Sequence, residues 1–270
     1  MDQRVVLVAM RHAVNLPPFA SPATLISLAV DAEQAGWDGV FFWDHMTWLP
    51  ERRLHVHDPW VLLGAVAART ERVLLGTMVT PLARRRPWKV AKEITTLDHL
   101  SGGRAVLGVG LGAPPDAEFG AFGESTSARH RADLLDEGLT ILDGLLRGRL
   151  DHDGEHYRVH TELLPRPVQD PRPPIWVAGE NPHRRPLERA ARWDGFVPLS
   201  VDGILTPEQV AGYVDGVERP PGWELVALHP DGIPTHEYEQ AGVTWLVEGI
   251  DPEGDWVDEL RASIRRGPRN

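Results

Sequence analysis

Several short groups of residues in this chain carry side chains able to do chemistry. Trp43-Asp44-His45 joins a carboxylate to an imidazole. A histidine exchanges a proton near neutral pH, so the pair fits general acid–base work, with Asp44 free to orient the ring, hold a helix start or bind a ligand amide. A hydrogen-bonded structural pair is the plainer alternative. Thr77-Met78-Val79-Thr80-Pro81-Leu82 leads into Arg84-Arg85-Arg86. Guanidinium forks match phosphate and carboxylate oxygens, and on a chain of net charge −11 such a triplet stands out, although charge runs also serve as solvated loops. Gly108-Val109-Gly110-Leu111-Gly112 is followed by Ala113-Pro114-Pro115. Its G-x-G-x-G spacing, with prolines where a helix should open, fails the dinucleotide fingerprint; glycines here let a flat ligand approach the backbone, or simply make a bend. Gly179-Glu180-Asn181-Pro182-His183-Arg184-Arg185-Pro186 places a glycine turn ahead of a helix, where free amides suit a phosphate and Arg184 or Arg185 could add a charged contact.

A metal is the competing chemistry. His12, Asp44, His45, His55, His57 and Asp58 all fall early in the chain. His55-Val56-His57 forms a metal-binding pair only on a strand, however, and its neighbours Glu51-Arg52-Arg53 and Asp58-Pro59 read as loop and helix start. No metal is expected, and a metal-dependent barrel hydrolase is kept as an alternative.

Positioning such groups requires a scaffold. The chain has 270 residues and no cysteine, which excludes disulfides, cysteine-ligated metals and thiol catalysis. Strand candidates are Val5–Met10, Gly39–Trp43, Val73–Val79, Ala105–Val109, Ile175–Ala178, Phe196–Leu199, Leu225–Leu228 and Thr244–Val247. Helical periodicity marks Ala23–Ala35, Pro59–Arg69, Trp88–Leu100, Ala128–Leu146 and Leu187–Arg192, with Asp58 as an N-cap and Pro59 and Pro87 in first turns. This alternation fits an α/β fold, a (β/α)8 TIM barrel, as a single domain over residues 1–270. Residues His152–Pro174 read as an excursion, a hairpin followed by a proline-rich run. In such a barrel the chemistry lies at the C-terminal strand ends, where the groups named above fall.

The same residues resemble a family, the luciferase-like monooxygenases, which are flavin- and deazaflavin-dependent barrel oxidoreductases. The resemblance is carried by Ala35-Gly36-Trp37-Asp38-Gly39-Val40-Phe41-Phe42-Trp43-Asp44-His45, Ala68-Arg69-Thr70-Glu71-Arg72-Val73-Leu74-Leu75-Gly76-Thr77, Leu97-Asp98-His99-Leu100-Ser101-Gly102-Gly103-Arg104 and Leu107-Gly108-Val109-Gly110. Further on it is carried by Asp153-Gly154-Glu155-His156-Tyr157, Pro167-Val168-Gln169, Pro173-Pro174-Ile175-Trp176-Val177-Ala178-Gly179 and Ala190-Ala191-Arg192-Trp193-Asp194-Gly195, in the family's order.

The resemblance implies reduced FMN or F420 in the barrel mouth and a monooxygenase or dehydrogenase acting on a small organic substrate. It implies His45 and Asp44 as catalytic residues. Thr77, Met78, Val79 and Thr80 would back the ring, with a non-proline cis peptide near Met78-Val79; Gly108 and Gly110 would let the ring pass; Gly179, Glu180, Asn181, Arg184 and Arg185 would hold the phosphate. The loop Thr47–His57 would close the mouth. Leu111 stands where many members have an arginine, so the phosphate needs another anchor, and Val201–Glu224 is short, which opens the mouth. A non-catalytic flavin-binding relative is a further alternative. Net charge −11 disfavours nucleic acid and anionic membrane, no apolar run reaches the ~18 residues of a membrane span, and the expected setting is cytoplasmic, with a homodimer compatible with the resemblance.

Overall fold

The structure, a computed structural model, describes residues 10–180, 183–230 and 232–269. The first stave of the barrel is β1, Arg11–Leu16, followed by helix α1, Pro22–Gln34. The sequence-based strand Val5–Met10 lies, apart from Met10, outside the described residues, and β1 starts where that run ends. Arg11, His12 and Asn15 break the apolar pattern of β1 and conceal it in the sequence.

The alternation then continues through β2 (Gly39–Phe42), α2 (Pro59–Ala67), β3 (Leu74–Pro81), α3 (Pro87–Ser101), β4 (Ala105–Gly110), a short α4 (Pro115–Glu118) and the long α5 (Ala128–Arg147). An antiparallel hairpin of β5 (Arg149–Asp153) and β6 (Arg158–Glu162) leaves the barrel. It returns through β7 (Ile175–Glu180), α6 (Arg184–Ala190), β8 (Gly195–Leu199), α7 (Pro207–Val214), β9 (Glu224–Leu228), α8 (Thr235–Gln240), β10 (Trp245–Glu248) and α9 (Trp256–Arg266). The barrel closes in the order β1-β10-β9-β8-β7-β4-β3-β2, with each neighbouring pair parallel.

Local sequence explains the helix starts. Asp58 accepts from the Val61 amide at 2.9 Å ahead of Pro59, as its N-cap reading requires, and Ser21 and Ser127 do the same for α1 and α5. Helix α3 ends on Gly102 in the left-handed region at φ 66°.

Inside the barrel, Phe41, Trp176 and Trp245 form a plug. Their ring centroids lie 5.3 Å (Phe41–Trp176), 5.4 Å (Trp176–Trp245) and 6.3 Å (Phe41–Trp245) apart. Bulk here needs small neighbours: a Cβ on Gly195 would lie 2.7 Å from Trp176, and one on Gly39 would lie 3.1 Å from Trp245. Arg11 covers Trp245 at 4.4 Å and pairs with Glu224, sealing the N-terminal end. Among the described residues, the interior is therefore closed at its N-terminal end.

Motif residues tie the outer parts together. Buried Asp98 accepts from the amides of Val168 (2.7 Å) and Gln169 (2.9 Å), anchoring the excursion to α3. Asp194 accepts from the Ile175 amide at 2.8 Å and pairs with Arg172.

Candidate active site

Asp44 and His45 follow β2 at the open end. Asp44 is buried, and its Oδ1 accepts from Arg84 at 2.8 Å and Arg85 at 3.0 Å. Its Oδ2 lies 2.8 Å from the Thr80 hydroxyl, which sits 2.9 Å from that of Thr77. Both carboxylate oxygens are thus satisfied by the chain itself.

The next residue in the network is one that sequence reasoning missed. Glu118, at the end of α4, is fully buried and pairs with Arg84. Its carboxylate also accepts from the amides of Met46 (3.2 Å) and Thr47 (3.3 Å) and faces His45 Nδ1 at 3.2 Å. Asp44, Glu118, Arg84 and Arg85 make a charge-balanced cluster. Burying such a cluster adds little net stability, but removing one member strands a charge, so it fixes the loop after β2 in one arrangement.

His45 lies against Trp48, with ring centroids 4.7 Å apart, and Trp43 (5.9 Å) and Phe19 continue the aromatic rim. Burial pushes its imidazole down to about 4, the Arg84 charge adds to that, and Asp44 opposes it. The ring is neutral at pH 7. Because the Glu118 carboxylate only accepts, the single proton is assigned to Nδ1, and Nε2 keeps its lone pair.

Strand β3 provides the floor. Its register against β4 shifts between Thr77 and Thr80, and the Met78–Val79 peptide is cis. Met78 and Val79 belong to the barrel interior. A Cβ on Gly108 would lie 2.2 Å from the Thr77 carbonyl oxygen, and one on Gly110 would lie 2.8 Å from Val79 Cγ2. These glycines therefore admit the bulge of β3 itself; a ring in the mouth would rest on what they admit rather than on the glycines directly.

Asn15 was also missed, since the strand that carries it went unread. Strand alternation places it on the face of Ala13, inside the barrel and nearer the mouth. It is buried, and its Oδ1 has no hydrogen-bond partner. An orphaned buried acceptor at the open end fits a ligand that donates to it.

Beyond β7, Gly179 is needed for packing, because a Cβ there would fall 2.2 Å from Pro186 Cβ. The exposed Glu180 gives its backbone carbonyl to the Tyr213 hydroxyl at 2.7 Å. Asn181 lies outside the described residues. Arg184 donates to the Tyr213 carbonyl at 3.2 Å. Arg185 turns to Asp133 (2.8 Å) and Asp136 (3.0 Å) on α5, so the structure does not bring it to the others. Two arginines of the triplet are taken by the chain itself: Arg84 and Arg85 serve Asp44 and Glu118, whereas Arg86 is exposed and lies 5.9 Å over Trp88. At Leu111, where an arginine was missing, buried Arg131 arrives from α5 and donates to the carbonyls of Leu111 (3.0 Å) and Gly112 (2.6 Å). Burial lowers its pKa.

The loop after β2 is tethered rather than loose. Arg52 pairs with Glu253 and with Asp251, and the His57 amide donates to the Pro18 carbonyl at 2.9 Å. Among the described residues no group of three His, Asp or Glu side chains converges as a metal site, and no helix is long and apolar enough to cross a membrane.

Comparison with known proteins now decides the family. The model of the luciferase-like monooxygenases matches residues 3–215. The chain belongs to this family. An F420-dependent glucose-6-phosphate dehydrogenase of Nakamurella multipartita is 36% identical over 206 residues, which is 73% of this chain and 59% of that protein. The chain thus spans about three-fifths of that relative's length. In fold, this luciferase-like chain is similar to the coenzyme F420-dependent tetrahydromethanopterin reductase of Methanopyrus kandleri (TM-score 0.76, 17% identity, 96% of this chain and 99% of that one). It is also similar to the oxygenating constituent of 3,6-diketocamphane monooxygenase of Pseudomonas putida in complex with FMN (TM-score 0.67, 20% identity, 82% of this chain and 67% of that one).

Proposed function

We propose that this luciferase-like chain is a flavin-type oxidoreductase that binds F420 or FMN in the barrel mouth and acts on a small organic substrate. The observation that carries the reading is the neutral His45, held by buried Glu118 at the mouth whose floor is the β3 bulge. The residues present fit a planar ring: Met78 and Val79 would support it, Asn15 Oδ1 has an unmade hydrogen bond that it could satisfy, and the aromatic plug would block deeper entry. For the phosphate, Gly179, Glu180 and Arg184 are the expected holders among the described residues. Arg131 carries a second charge that no carboxylate cancels among the described residues. Arg185 is cancelled by Asp133 and Asp136 and drops out. We take residues 1–270 as one barrel unit.

Bound F420 or FMN would supply the hydride or oxygen chemistry. The chain supplies a base. His45 Nε2 accepts a proton from a substrate hydroxyl, or returns one, while Nδ1–H stays on Glu118 and keeps the ring in a single tautomer. Asp44 positions Arg84, which in turn holds Glu118, and so acts on His45 through two intermediates. Trp43, Trp48 and the tethered loop exclude water from that exchange. His45→Ala should lower turnover of a secondary alcohol or ketone by ~10²–10⁴-fold, the range for lost acid–base catalysis, with cofactor affinity unchanged. Unchanged turnover would remove His45 from the chemistry.

A further inference from the structure

Two hydroxyl groups bracket the bulge of β3. Thr77 and Thr80 stand on either side of Met78 and Val79, at the two ends of the register shift against β4, and both are fully buried. Thr80 Oγ1 lies 2.8 Å from Asp44 Oδ2 and 2.9 Å from Thr77 Oγ1, and Thr77 Oγ1 lies 3.2 Å from the Gly108 carbonyl oxygen. Each hydroxyl carries one hydrogen, so the pair has two donations to make across three contacts. The Asp44 carboxylate accepts, which commits the Thr80 hydrogen to it. Thr77 then shares its hydrogen between Thr80 Oγ1 and the Gly108 carbonyl.

Thr80 is the one partner of Asp44 Oδ2 among the described residues, whereas Oδ1 takes both Arg84 (2.8 Å) and Arg85 (3.0 Å). From Asp44 the contacts run on without a gap: Arg84 pairs with Glu118, and Glu118 faces His45 Nδ1 at 3.2 Å. One chain of contacts therefore joins the bulge to the imidazole, and every hydroxyl and carboxylate along it is buried. Away from water, hydrogen bonds in such a chain polarise one another, so a change at one member is felt by the next.

We propose that Thr80 is a positioning residue for His45: by holding Asp44 Oδ2 it fixes how Arg84 is shared between Asp44 and Glu118, and so ties the β3 bulge to the proton chemistry of the base. Without the hydroxyl, Asp44 Oδ2 is unpaired in reach of two guanidinium groups and turns onto Arg84. Arg84 then serves Glu118 less, and the Glu118 carboxylate is left to attract a proton to His45. Burial, and after it the Arg84 charge, hold the imidazole down to about 4, and the second of these is drawn away. Both changes raise the proton affinity of His45. The remaining charges nearby stay in place: Arg85 keeps Asp58 and Glu93, and Glu124 still acts on Arg84. This role rests on the reading of His45 as the base, but the chain of contacts is formed without a cofactor.

The test is an NMR titration of the His45 ring from about pH 4 to pH 8, without cofactor, in the wild type, Thr80→Val, Thr80→Ser and Thr77→Val. Thr80→Val should raise the midpoint by at least about half a pH unit, roughly threefold in proton affinity. Thr80→Ser keeps the hydroxyl and should restore the wild-type midpoint. Thr77→Val removes only the donor behind Thr80 and should move the midpoint the same way by less; it carries the test alone if Thr80→Val does not fold. A hydroxyl with a purely structural role would lower the urea midpoint of Thr80→Val and leave the His45 titration where it was. That result, or a His45 midpoint that falls, would overturn the proposal. A wild-type ring titrating near 6.5 would instead overturn the neutral-base reading, and the difference between wild type and Thr80→Val would still decide the role of Thr80.

Discussion

The folded chain binds no proton at His45 until about pH 4, whereas an exposed histidine takes one near 6.5. The unfolded chain therefore gains protons that the folded one refuses, so the contribution is fully present above pH 6.5 and is lost as pH falls to about 4. The loss amounts to about 3 kcal/mol by linkage. His45→Gln should flatten the stability–pH curve in this window by about one proton, as measured by urea unfolding at pH 7 and 4.5; an unchanged slope would mean that the imidazole is solvated. Glu118 is a stronger structural test. Glu118→Ala leaves Arg84 without its buried partner and should cost about 3–5 kcal/mol. Asn15 should behave in the opposite way. Its unmade hydrogen bond is a standing cost, so Asn15→Leu should leave the thermal midpoint unchanged or raised while weakening ring or substrate binding, the pattern expected of a group kept for a ligand. Of these residues only His45 and Asp44 were legible. Glu118 is 73 residues from His45 in a proline-rich turn, and no spacing rule connects the two. The arginines were expected to meet an anionic ligand, whereas Arg84 and Arg85 meet the chain's own carboxylates Asp44 and Glu118, which only a folded structure can show.

Among the elements, β3 and β4 are the most constrained pair. A methyl on Gly108 meets a backbone carbonyl that cannot swing away, so Gly108→Ala should cost ~1–3 kcal/mol by overpacking and lower ring affinity together with stability. Gly64 in α2 is the control. A Cβ there would meet nothing nearer than Leu100 Cδ1 at 3.9 Å, so Gly64→Ala should stabilise by ~0.5–1 kcal/mol, visible as a raised thermal midpoint. Strands that are buried on both faces showed themselves as apolar runs, and α2 and α3 showed their first turns through Asp58-Pro59 and Pro87, whereas α4, α7 and α9, which also start at a proline or aspartate, went unread because they are short or carry few apolar residues. Strand β1 did not, because it carries Arg11 to the plug and Asn15 to the mouth, and both functions require polar residues inside a strand. Several family motifs also proved to be scaffold rather than chemistry: Asp98 with Gln169, and Asp194 with Ile175, hold the excursion and the strand starts in place.

At the scale of the whole molecule, the barrel gathers residues from β1, β2, β3, β4 and β7 at one open end and closes the other with aromatic bulk. The mouth combines a neutral base and a balanced ionic cluster, which suits proton exchange beside a flat ring. The central claim is that this mouth holds F420 or FMN. Its most direct test is equilibrium titration of the purified chain with F420 and FMN, oxidised and reduced, followed by ligand fluorescence and thermal shift. One cofactor should bind in the micromolar range or tighter, stabilise the fold by ~2.7 kcal/mol at 100 times Kd, and bind at least tenfold more weakly to Gly108→Ala. Binding of neither cofactor in either redox state would contradict the account.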